Sequence, residues 1–239
     1  MNSNKKTARI AGFWYLLLGI TAGYSWLYTT KVFVAGNAAL TANNILQSES
    51  QYLIAIVSSL IGQISFIILG FALYRLLKHV NETHAKLMLA FMLVSVPIMF
   101  VNIIFQTGAL FVLNRADYLN AFSKEQINSI SMLIMNFHFT GLHIVEIFWG
   151  LWLFPLSYLV YKSNYFPKIL ALLLIIAGLC YLIGSLAYLL NLKFYSTIQI
   201  YLSIPESVGE LSIVFWLLIK GVKGQKAFSK QPYSQQISF

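Results

Sequence analysis

Residues 52–74 read YLIAIVSSLIGQISFIILGFALY, twenty-three positions without one charged side chain. Each helical residue advances about 1.5 Å, so a run this long crosses a hydrocarbon core of about 30 Å. The chain around it has the same character. Of 239 residues, 59% are hydrophobic and only 10% charged, and the mean hydropathy is +0.74. A soluble domain carries about 25% charged residues. Five further stretches qualify as spans, at about 10–28, 87–113, 132–160, 169–190 and 198–219. The expected fold is all-α: a polytopic membrane bundle of about six helices (10–220) between an N-terminal tail (1–9) and a C-terminal tail (221–239). Short polar loops join the helices, and Pro97 marks an expected kink in the third.

The first apolar run outlasts a signal-peptide core and ends without a small-x-small cleavage site, so an uncleaved first helix is expected. Orientation follows from the basic residues. With the N-terminus inside, twelve of the sixteen Lys and Arg residues fall on the inner side, among them Lys5, Arg9, Arg75, Lys168 and Lys220. Lys31, Arg115, Lys124 and Lys193 fall outside. The positive-inside rule places both termini in the cytoplasm. The net charge of +9 then reads as juxtamembrane lysine facing anionic lipid rather than as a nucleic-acid surface. The single cysteine, Cys180, excludes a disulfide within one chain.

Polar residues inside the apolar runs are the functional signal. Glu49, Glu82, Asp117 and Glu125 fall in loops, while Glu146, Glu206 and Glu210 fall within the fourth and sixth spans. A charged side chain at the bilayer centre costs roughly 2.5–3.5 kcal/mol on insertion scales. Gln63, Asn102, Glu146 and the Glu206/Glu210 pair all sit near the midpoints of their helices, which places them near one plane. Helical spacing puts Asn136, His143, Glu146 and Gly150 on one stripe, Ser203, Glu206, Ser207 and Glu210 on another, and Ser95, Asn102 and Gln106 on a third. Such stripes should face the bundle interior, because lipid satisfies none of their hydrogen bonds.

Three chemistries fit. Glu206 and Glu210 are i,i+4 neighbours, and two close carboxylates in low dielectric do not both ionise, which suits proton binding. A midplane polar cavity lined by Gln63, Asn102, His143, Glu146, Glu206 and Glu210 would bind a small ligand or proton. His143 and Glu146, with Glu210 as a third ligand, are weak candidates for a metal-dependent membrane enzyme; the order reverses the Glu-x-x-His of di-iron bundles and occurs once. The plain alternative is a structural or regulatory subunit, since Gln63, Asn102 and Gln106 could be interhelical glue worth about 0.6 kcal/mol each. His138, about 140° from His143, is expected to be structural too, and Gly19-x-x-x-Gly23 reads as a helix-packing motif. Neither G-x-S-x-G, H-E-x-x-H nor a P-loop occurs, and no cofactor is expected. Six helices are few for a transporter, but a homodimer would double the count.

Several motifs together resemble a known family: Ala8-Arg9-Ile10-Ala11-Gly12 with Tyr15-Leu16; Gly141-Leu142-His143; Gly150-Leu151-Trp152-Leu153-Phe154-Pro155-Leu156; Val160-Tyr161-Lys162-Ser163 and Phe166-Pro167; Ala177-Gly178 with Tyr181-Leu182; and Gly209-Glu210 with Trp216-Leu217-Leu218-Ile219-Lys220-Gly221. They resemble a bacterial family of multi-pass membrane proteins catalogued as domain of unknown function 4386. The resemblance implies a helical bundle in the bacterial inner membrane and no particular activity. His143 and Glu210 match family motif positions. Gly184 stands where the resemblance leads one to expect an acidic residue.

Overall fold

A computed structural model describes residues 3–114 and 119–222. Arg115 and Asp117, and Lys223, Lys226 and Lys230 of the C-terminal tail, lie outside the described residues. The chain forms α1 (Ser3–Val32), α2 (Ala38–Gln47), α3 (Glu49–Leu77), α4 (Glu82–Leu113), α5 (Lys124–Lys162), α6 (Lys168–Leu189) and α7 (Tyr195–Phe215), closed by a π-helical turn (Trp216–Lys220). Six helices are long and apolar enough to cross a membrane. Residues 3–9, read from the sequence as a tail, continue α1.

The helix ends follow local chemistry. Asn81 accepts from the His84 backbone N–H at 2.9 Å and starts α4. Ser123 and Gln126 form a reciprocal capping box that starts α5. Glu49, Glu82 and Glu125 occupy first turns, where the helix dipole favours an anion. Pro97, Pro155 and Pro205 lie inside helices that continue through them. A helix of 39 residues such as α5 is roughly 58 Å long and therefore projects well beyond a hydrocarbon core.

One helix was not legible as such. Residues 38–47 form α2, capped by the Asn37 side chain, which accepts from the Leu40 N–H. Thr41, Ala42 and Ile45 are its buried face, too short a pattern to register in a search for spans.

The polarity of the bundle is inverted relative to a soluble protein. Ser25, Thr29, Ser59, Gln63, Asn102, Gln106, His138 and His143 are buried, while Ile54, Ile104, Leu133 and Ile200 are among many large apolar side chains exposed on the outside. A bilayer is the solvent that stabilises that arrangement. Two apolar cores fill the interior. One lies toward the start of α1 and the end of the π turn, with Ala8 and Val222, and centres on Tyr15, Leu73, Trp152 and Leu156. The other lies toward α2 and centres on Ile45, Tyr52, Met135 and Val145. Trp149 packs on both, and polar cavities open around it.

Candidate functional site

Glycines set the spacing of the helices that build the site. A Cβ on Gly150 (α5) would lie 2.8 Å from the Gly178 carbonyl oxygen, and one on Gly178 (α6) would lie 3.0 Å from the Gly150 carbonyl oxygen. A Cβ on Gly209 (α7) would lie 2.8 Å from both Ala177 Cβ and the Leu173 carbonyl oxygen. The three backbones therefore touch. Glu146 lies one turn before Gly150, Tyr181 lies three residues after Gly178, and Glu210 follows Gly209, so the crossing gathers their side chains.

Two hydrogen-bonded centres result. In the first, Glu146 Oε2 lies 2.6 Å from His143 Nδ1, and Ser185 Oγ donates to the same oxygen at 3.3 Å. His143 Nε2 meets the Tyr195 hydroxyl at 3.0 Å. The carboxylate fixes the tautomer: Nδ1 carries the proton, and Nε2 of a neutral ring accepts from Tyr195. Tyr188 packs its ring 3.8 Å from the imidazole, and His143 is 4% exposed. In the second centre, Tyr15 Oη donates to Glu210 Oε2 and Tyr181 Oη donates to Oε1, both at 2.7 Å. One hydroxyl per oxygen satisfies this carboxylate as an acceptor.

Glu206 and Gln63 lie between these centres and differ from both. Among the described residues Glu206 has no hydrogen-bond or ion-pair partner. Gln63 is 3% exposed and its Oε1 has no partner. Both border two adjoining cavities. The first, about 280 Å³, is also bordered by Ser25, His138, His143, Glu146 and Gly184. The second, about 430 Å³, reaches Tyr15 and Glu210 and runs between α1 and α7. A vestibule of about 720 Å³ on the α2 side shares Trp26, His143, Tyr195 and Gln199 with the first. His143 thus borders both the vestibule and the first cavity, and Glu206 borders both cavities. No Lys or Arg borders these three spaces among the described residues.

Of the sequence candidates, Gln63, His143, Glu146 and Glu206 share the first cavity, and Glu210 joins Gln63 and Glu206 in the second. Asn102 borders none of them. It is buried between α4 and α5, where its side chain abuts Gly141 and Nδ2 lies 3.8 Å from Met99 Sδ. Gln106 donates to Thr29 Oγ1 at 2.7 Å, a structural link between α4 and α1. His143, Glu146 and Glu210 do not converge as a metal-ligand set, and no three His, Cys, Asp or Glu side chains do so among the described residues.

His138, expected to be structural, donates from Nδ1 to the Asn102 carbonyl at 3.2 Å, and it also borders the first cavity. Gly19-x-x-x-Gly23, expected to pack helices, meets no other helix of this chain among the described residues: no atom lies within 4 Å of a Cβ built on either glycine, and the two border the second and first cavities respectively. The residues that sequence reasoning missed are the phenols Tyr15, Tyr181 and Tyr195. The missing acid at 184 leaves room. A Cβ there would meet only Leu202 Cδ1, at 3.5 Å.

The family model described as "Domain of unknown function (DUF4386)" matches residues 10–221, nearly the whole chain. The chain belongs to the DUF4386 family. The match covers every residue of both centres and all three spaces. A protein of Archaeoglobus fulgidus, named only "Uncharacterized protein", is 43% identical over 77 residues, which is 32% of this DUF4386 chain and 44% of the relative. The chain therefore spans less than half the length of the relative it matches. No solved structure matches the chain.

Proposed function

We propose that this DUF4386 protein is a membrane-embedded binding protein that holds a small ligand in the joined cavities around Trp149. One observation carries the reading. Gln63, whose buried Oε1 has no partner, and Glu206, which has no hydrogen-bond partner among the described residues, border the same two cavities, while the neighbouring Glu210 carboxylate is satisfied by two phenols. Leaving a buried polar atom unsatisfied costs about 1–3 kcal/mol. A bound partner removes that cost. The Tyr195–His143–Glu146 chain supports a coupled role for a proton, since hydrogen bonds run through it without a break from vestibule to cavity.

The test is a panel of small organic cations, zwitterions, polyols and anions added to protein in nanodiscs, read as thermal stabilisation. A ligand that binds only the folded protein raises stability with a saturating concentration dependence; at a hundred times its dissociation constant the gain is about 2.7 kcal/mol. At least one class should do so, and the gain should vanish in the Gln63→Leu, Glu206→Gln double variant. A purely structural or regulatory subunit behaves differently: the variants change the melting temperature, and no compound in the panel does. With both termini on the cytoplasmic side, Lys5, Arg75 and Lys168 would meet anionic headgroups.

A further inference from the structure

We propose that the ligand is an amphiphilic primary amine, and that it enters sideways from the bilayer between α1 and α7. This rests on the binding reading above and names its ligand class and its route.

The route comes from how α1 and α7 separate. Near the start of α1, that helix is in close contact with the π turn that continues α7. A Cβ on Gly12 would lie 2.9 Å from both the backbone N and Cγ of Leu218. Two turns further along α1, Gly19 faces open space, and so does Gly23 one turn beyond it. The second cavity occupies the opening beside Gly19, and the first cavity the one beside Gly23. The walls of the second include Ile20 of α1 and Leu211 of α7, which are 61% and 44% exposed and so also form part of the lipid-facing surface. An apolar slot of this kind admits an alkyl chain without stripping a polar group of water.

The headgroup chemistry comes from the inner end of the slot. Gln63, 3% exposed and with its Oε1 unpartnered, borders both cavities. Glu206 stands beside it without a partner, and Glu146 Oε1 takes no hydrogen bond among the described residues, since His143 and Ser185 both use Oε2. The Glu206 and Glu146 carboxylate oxygens are acceptors. A primary ammonium offers three donors, accepts nothing and supplies the positive charge that the cavity walls lack. Trp149 and Tyr181 border both cavities, and the faces of such rings attract a cation. A carboxylate or phosphate headgroup would meet like charge there, and an alcohol would leave the charge uncompensated.

The probes are dodecylamine, butylamine, dodecanoate and dodecanol, each titrated into protein in nanodiscs of zwitterionic lipid and read by thermal stabilisation and by tryptophan fluorescence. Matched nanodiscs carrying Glu206→Gln, which is nearly isosteric, correct for partitioning into lipid. We expect dodecylamine to bind and Glu206→Gln to weaken it about 10-fold or more, the loss typical of a hydrogen bond to a charged group. Gly19→Leu and Gly19→Phe obstruct the slot where no neighbour lies within 4 Å of the added Cβ. They should slow dodecylamine association about 10-fold while leaving butylamine, which can enter through the vestibule, unaffected. If butylamine and dodecylamine behave alike and the slot variants change neither, the lateral route is wrong and the binding site stands. Dodecanoate or dodecanol binding as tightly as the amine overturns the headgroup assignment. Should none of the four bind while another compound in the earlier panel does, the amphiphilic amine is overturned and the binding reading survives. Failure of every compound in both sets overturns both.

Discussion

Replacing Gly150 by Ala tests the packing that assembles the site. The added Cβ would lie 2.8 Å from the Gly178 carbonyl oxygen, 3.1 Å from Tyr181 Cβ and 3.2 Å from Leu182 Cγ. A carbon–oxygen contact relaxes to about 3.3–3.6 Å, so α5 and α6 must part by roughly 0.5–0.8 Å at that point. The opposing oxygen is backbone inside α6 and cannot swing aside. Overpacking of this size costs about 1–3 kcal/mol. Alanine's better helix propensity returns at most about 1 kcal/mol, so a net loss of about 1–2 kcal/mol is expected. The same displacement moves Tyr181, whose hydroxyl lies 2.7 Å from Glu210 Oε1. Added to that distance, it stretches the bond past about 3.0 Å, the far edge of the range for an O–H···O bond. Gly19→Ala is the matched control, because nothing lies within 4 Å of its Cβ; it should be neutral or stabilising by up to about 1 kcal/mol. Reversible unfolding in mixed micelles gives both energies, and the carboxylate stretch in infrared difference spectra reports the Tyr181–Glu210 bond. The reasoning is refuted if Gly150→Ala is as stable as the parent and its carboxylate band is unmoved.

Three more expectations follow from the two hydrogen-bonded centres and the open glycine. Nitrogen-15 NMR of the histidines should find His143 with its proton on Nδ1, and Glu146→Gln should redistribute it toward Nε2; an unchanged ring spectrum would mean that Glu146 does not hold the tautomer. Tyr181→Phe and Glu210→Gln should be non-additive in stability, with a coupling energy of roughly 0.5–3 kcal/mol, and a double-mutant cycle that closes at zero removes the bond from the account. Gly184→Leu should fold with the parent's melting temperature, since its Cβ has only Leu202 Cδ1 nearby at 3.5 Å, yet should abolish ligand stabilisation by filling the cavity; retained ligand stabilisation counts against the site.

The architecture was legible because an uncharged run such as residues 52–74 has one economical solution, a helix across lipid. The decision rests on summed hydropathy and needs no knowledge of neighbours. What needs neighbours was read less well. Glu146, Glu206 and Glu210 stood out because an acid in an apolar run is costly wherever it faces. A phenol carries no such cost, so Tyr15, Tyr181 and Tyr195 looked like ordinary apolar bulk until their hydroxyls met Glu210 and His143. Periodicity told that Asn102 faces inward but not toward which partner. It lies against Gly141 in the α4–α5 interface and borders none of the three spaces around the site.

Glycine shows why one residue type gives opposite structural signals. Gly12, Gly150, Gly178 and Gly209 are sites of backbone contact, each with an atom 3.0 Å or closer to its would-be Cβ. Gly19, Gly23 and Gly184 meet nothing closer than 3.5 Å and border the cavities. The first set holds α1 to the terminal π turn and α5, α6 and α7 to one another. The second set makes room between the helices so held. A small-xxx-small pattern therefore predicts either closest approach or widest gap, and only the position of the next helix decides which. All four contact glycines fall in the motifs through which the chain resembles its family, whereas none of the three open ones does, and Gly184 departs from the expected acid. On this division the contact glycines hold the two hydrogen-bonded centres together, while the open ones set the width of the α1–α7 slot and the free volume at residue 184. Ligand selectivity should then change with substitutions at 19, 23 and 184, and fold stability with substitutions at 12, 150, 178 and 209.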